Sequence, residues 1–124
     1  MEHLNWIAVI VGTVASFLVG WLWYSPKLFG QGWADGSGVK LNTADKMPAF
    51  AMIMQLLALF LLALVIGVTA TTNALGTAIL AILAITCFAT SNGAFIKKTG
   101  YALAVDAGFI IIAGGVMIIV QGIF

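Results

Sequence analysis

Residues 49–69, AFAMIMQLLALFLLALVIGVT, run for 21 positions without a charged side chain. The run is continuous, with no alternation of apolar and polar positions, so it does not describe a strand with one wet face. As a helix it is long enough to cross the hydrocarbon of a bilayer, which takes roughly 20 residues at about 1.5 Å each. Working outward, three further stretches have the same character: Leu4 to Tyr24, Ala74 to Ile96 and Tyr101 to Gln121. Lipid offers no partners to backbone N–H and C=O groups, so continuous apolar runs of this length must be helical. A β-barrel would need period-two segments, and none is present. The reading is an all-α integral membrane protein, a four-transmembrane-helix bundle forming a single membrane domain over residues 1–124.

Composition points the same way. Of 124 residues, 63% are hydrophobic and 7% are charged. A soluble domain carries about 25% charged residues, so this chain cannot cover a globule with wettable surface. The net charge of +1 provides no basic field for nucleic acid, and no nucleic-acid partner is expected. Cys87 stands alone within an apolar run, so no disulfide framework exists. Met1-Glu2-His3 has no Lys or Arg, and the first run ends in Trp21, Trp23 and Tyr24, where a signal peptide would need small residues. The first run is therefore read as a retained helix.

The breaks between runs set the threading. Ser25-Pro26 ends the first helix, because Pro disfavours helical geometry before it. Asp45 is the expected N-cap of the second helix, with Pro48 in its first turn. Thr71-Thr72-Asn73 is a short polar turn, and Lys97-Lys98-Thr99-Gly100 joins the last two helices. Lys27, Lys40 and Lys46 lie in the first loop, Lys97 and Lys98 in the third, and four spans put both loops on one face. The positive-inside rule makes that face cytoplasmic, with both termini outside. Trp6, Phe29, Trp33 and Tyr101 are read as interfacial aromatics. The cytoplasmic segment 25–48 is expected to be a Gly-rich loop whose aromatics dip among the headgroups.

Ala8, Gly12, Ser16 and Gly20 recur every four residues on the first helix, a spacing that lets another backbone approach closely. Gly100, Ala104 and Gly108 form a shorter version on the fourth. Polar residues within the spans are few, and each needs a reason. Gln55, Thr90, Asn92 and Asp106 all fall in the lysine-side half of the bundle. Trp23, Tyr24 and Ser25 end the first helix on that same side. These seven residues are predicted to form one polar-aromatic cluster that locks the bundle or binds a headgroup or small ligand. Asp106, the one acid within a span, can be relieved by protonation, by Asn92 or Thr90, or by Lys27, Lys97 or Lys98. Ala102, Asp106, Phe109 and Ala113 share a helix face.

One His and one Cys far apart along the chain do not make a metal or haem set, so no metal or cofactor is expected. A catalytic reading would rest on Asp106, Tyr24 and Ser25 alone, and an enzyme is not expected.

Gly20-Trp-Leu-Trp-Tyr-Ser-Pro-Lys-Leu-Phe-Gly30, with Asn5-Trp6 before the first helix and Asp106-Ala107-Gly108-Phe109 in the fourth, resembles a domain-of-unknown-function family. Its members are small, mainly bacterial four-helix membrane proteins. The chain departs from the pattern in Phe109, where a Tyr is expected, and in its short Gly-rich first loop. The resemblance implies four spans and no reaction. The function expected is that of a non-enzymatic accessory or assembly subunit packing against other membrane proteins, of which energy-converting complexes are one host. A small oligomeric transporter or channel with an ion- or proton-linked Asp106 is the first alternative, and a lipid-headgroup binder the second. Membrane lipids, other membrane subunits or a second copy of the chain are the expected partners.

Overall fold

The computed structural model describes residues 3–25, 27–38 and 49–124. The stop at Pro26, the cap at Asp45, Pro48, Lys40 and Lys46 lie outside these residues. Among the described residues the chain forms five helices and no strand: α1 (Trp6–Trp23), α2 (Gly30–Ser37), α3 (Ala49–Thr71), α4 (Leu75–Phe95) and α5 (Gly100–Ile123). Helices α1, α3, α4 and α5 are each long and apolar enough to cross a membrane, so the protein is a four-span helical membrane bundle.

Local chemistry fixes the helix ends. Asn5 caps α1, its Oδ1 accepting from Ala8 N–H at 3.0 Å. The α3–α4 hairpin turns at Asn73, whose φ of 54° is the left-handed conformation Asn tolerates, and Ala74 N–H donates to Thr69 O at 2.8 Å. Helix α4 closes with Lys97 in the left-handed region, at φ 63°. Lys98 N–H reaches back to Gly93 O and Lys97 N–H to Ala94 O, each at 3.0 Å. This paired arrangement is a Schellman motif, which satisfies carbonyls that the helix end would otherwise leave open. Thr99 then caps α5, accepting from Ala102 N–H at 3.2 Å.

Helix α5 is the hub and packs against each of the other four helices. The α1 stripe lies on it: Gly12 faces Met117, Ser16 Oγ donates to Ala113 O at 3.3 Å, and Gly20 faces the Phe109 ring. Ala8 and Ser16 are fully enclosed. On α5, Gly108 meets the Trp23 ring, whereas Gly100 has no neighbour and Ala104 is exposed. The core continues through Leu59, Leu62 and Ile66 of α3 and Ile82 of α4, which fits over Gly114.

Segment 25–48 holds a helix where the sequence suggests a Gly-rich loop. The glycines are spaced so that α2 can lie flat on its neighbours. Gly30 sits against the Tyr24 carbonyl, Gly32 against the Tyr101 ring and Gly36 against Thr99, with no room for a Cβ at any of them. Thr99 N–H donates to Gly36 O at 3.0 Å, and Gly38 ends the helix at φ 75°. Composition alone reads such glycines as loop; here they are contact points.

Candidate functional site

Four separate segments meet at the lysine end of the bundle. Tyr24, the residue after α1, donates its phenol O–H to Asp106 Oδ1 at 2.5 Å. Lys98, in the α4–α5 turn, donates to Asp106 Oδ2 at 2.9 Å. The Lys98 ammonium also lies 5.3 Å from the centre of the Trp33 ring on α2, within range of a cation–π attraction. Trp33 in turn meets Tyr24 edge-on, ring centres 5.2 Å apart. Tyr24, Asp106, Lys98 and Trp33 thus form a closed circuit linking α1, α2, the α4–α5 turn and α5.

Each member is placed by the local fold. The Schellman turn at Lys97 aims Lys98 back over α5, and its stem crosses Gly93, where a Cβ would come within 3.2 Å of Lys98 Cδ. Asp106 lies six residues into α5, about 9 Å along the axis, on the face it shares with buried Ala102, Phe109 and Ala113. Phe109 packs edge-on against Tyr24 at 5.7 Å between ring centres. Next door, Trp23 donates from Nε1 to Val105 O at 2.9 Å and leans on Phe29 at 4.7 Å. Of the four aromatics read as interfacial, Phe29 and Trp33 are partly buried against Trp23 and Tyr24, while Trp6 and Tyr101 are about half exposed. Ser25 Oγ and Trp33 Nε1 are buried with no hydrogen-bond partner among the described residues.

The circuit balances its charges. Both oxygens of Asp106 are occupied, and the Lys98 and Asp106 side chains are each 18% exposed. Tyr24 supplies one of the two hydrogen bonds to the carboxylate from the end of α1. Asp106 thus ties the end of α1 and the α4–α5 turn to α5.

The structure does not bring all seven polar residues together. Trp23, Tyr24 and Asp106 meet, and Ser25 is adjacent to them in the chain. Thr90 turns back on its own helix, donating to Thr86 O at 2.8 Å. Gln55 and Asn92 are exposed on α3 and α4 and have no side-chain hydrogen bond among the described residues. The seven were grouped by their level along the helices, and level does not fix direction around the axis. Trp33 and Lys98 carry the circuit together with two of the seven. Of the three lysines the sequence offers as partners for Asp106, Lys98 is the one that pairs with it, whereas Trp33 was read only as an interfacial aromatic. A separate cavity of about 460 Å³ lies at the opposite end, between the α3–α4 turn and the end of α5, lined in part by Thr69, Asn73 and Gln121.

The fold and the circuit define a four-span membrane bundle whose single in-span acid is neutralised by its own lysine. The chain matches the family described as "Protein of unknown function (DUF1761)" over residues 7–122 and belongs to it. No curated protein and no solved structure matches the chain.

Proposed function

We propose that the protein is a non-enzymatic membrane subunit that packs against other membrane protein through the lysine-side halves of α3 and α4. The observation that carries this reading is the pair of uncovered carboxamides, Gln55 and Asn92. Gln55 is six residues into α3 and Asn92 three residues before the end of α4, so both are roughly one to two turns inside the apolar segment. A carboxamide at that depth gains about 1 kcal/mol from an interhelical hydrogen bond, and acyl chains cannot supply one. Every buried residue of α3 lies at or beyond Leu59, so the half of the helix that carries Gln55 holds no residue buried against the described residues. The fully occupied Asp106 supports a locking role over an ion- or proton-linked one. The lysines at one end support a cytoplasmic placement for that end in a bacterial inner membrane, both termini outside.

A photoreactive residue at Ile53 or Phe88, both exposed, tests the proposal in native membranes. Protein adducts are expected from both positions and not from Val14 on the exposed face of α1. Adducts to lipid alone at all three positions would refute a packing role.

A further inference from the structure

The end of the bundle away from the lysines carries a second feature, independent of the packing role proposed above. The cavity of about 460 Å³ there is followed by a groove of about 210 Å³ along the α4–α5 seam, and Ile118 is a wall of both. On α5, Ile111, Gly115, Ile118 and Gly122 recur at i, i+4, i+7 and i+11, so one helix face lines cavity and groove in succession. On α4, Leu75, Ala78, Ile79 and Ile82 do the same. Glycine keeps the seam open. Ile82 packs over Gly114, whereas a Cβ at Gly115 or Gly122 would meet nothing within 4 Å.

Polarity changes along the seam. Thr69, Asn73 and Gln121 line the cavity, at or within a turn of the helix ends, and no polar side chain lines the groove. From Gly122 to Ile111 is about 16 Å along α5, close to half of the roughly 30 Å hydrocarbon core. A polar pocket at headgroup level that leads into an apolar groove one leaflet deep matches a lipid, head outward and one acyl chain inward. The lining also selects the head. Asn73 and Gln121 present primary carboxamides, which donate to phosphate oxygens and accept from hydroxyls. The first turn of α4, capped by Ala74 without a side-chain hydrogen bond, borders the same cavity and adds free N–H groups. Among the described residues no acidic or aromatic side chain lines it, so an ammonium head finds no counter-charge or ring face. We infer that the seam binds a phospholipid of the leaflet opposite the lysines. Its phosphate and a hydroxylated, uncharged head group lie at Asn73 and Gln121, and one acyl chain lies over Gly115.

Photoreactive phospholipids test this in proteoliposomes of the whole chain, with labelled positions read by peptide mass spectrometry. A phosphatidylglycerol with a diazirine on one acyl chain is expected to label the seam near Ile79 and Ile111 above Ile10, which is exposed at a matching level of α1. A phosphatidylcholine carrying the same chain is expected to label the seam about fivefold less, the difference coming from hydrogen bonds to the head group. Gln121→Leu is expected to remove that difference. Gly115→Leu fills the groove and is expected to abolish seam labelling, whereas Gly76→Leu, equally free of neighbours but outside cavity and groove, leaves it unchanged. Helix content by circular dichroism verifies that each variant is folded. Seam labelling no greater than at Ile10, labelling undiminished by Gly115→Leu, or equal labelling by the two lipids overturns the inference.

Discussion

Replacing Lys98 with Met leaves the Asp106 carboxylate inside α5 with one of its two partners gone. Breaking a fully buried ion pair from one side costs about 3–5 kcal/mol, and an exposed pair is worth about 1 or less. The two side chains are each 18% exposed, which places Lys98→Met between these limits, at roughly 2 kcal/mol with the lost attraction to the Trp33 ring included. Asp106→Leu removes the acceptor of both Tyr24 and Lys98, but a freed lysine near a helix end can extend to the headgroups. Its cost, about 1–2 kcal/mol, is mostly the stranded Tyr24 hydroxyl. The double variant carries neither charge. It is expected to be more stable than the sum of the single losses by about 1–2 kcal/mol, the signature of direct coupling. Reversible unfolding in mixed micelles, followed by far-UV circular dichroism, measures all four corners of the cycle. Strict additivity, with coupling under about 0.5 kcal/mol, would mean that the Lys98–Asp106 contact does not hold the helices together.

Other expectations follow from the same packing. Gly30→Ala is expected to dislodge α2 and cost about 2 kcal/mol, because a Cβ there collides with the Tyr24 and Ser25 carbonyls; Gly76→Ala, with open space around it, is the control in the same unfolding assay. Lys97→Gly is expected to stabilise the protein by up to about 1 kcal/mol, since it relieves a left-handed residue at the end of α4.

The four spans were legible because the bilayer imposes length and apolarity on every residue of a helix, and runs such as 49–69 contain little else. The meeting of Tyr24 with Asp106 was legible from depth, since both had to lie near the lysine end. Direction around the helix was not, because a span that is apolar all round carries no amphipathic stripe to orient it. Gln55 and Asn92 are therefore exposed and make no contact with the circuit among the described hydrogen bonds. Helix α2 was hidden for a different reason. Gly30, Gly32 and Gly36 have poor intrinsic helix propensity, and the close contacts that outweigh it, with the Tyr24 carbonyl, Tyr101 and Thr99, are tertiary. Trp33, carried on α2, and Phe29, just before it, pack on Tyr24 and Trp23, contacts that depend on α2 and so were hidden with it.

Single-cysteine labelling in intact, sided vesicles of a Cys87→Ser chain addresses the threading on which the circuit and the exposed α3 face depend. With four spans, cysteines at His3 and Phe124 take up a membrane-impermeant maleimide from one side, and a cysteine at Lys97 takes it up only from the other. Labelling of His3→Cys and Lys97→Cys from the same side would contradict that threading.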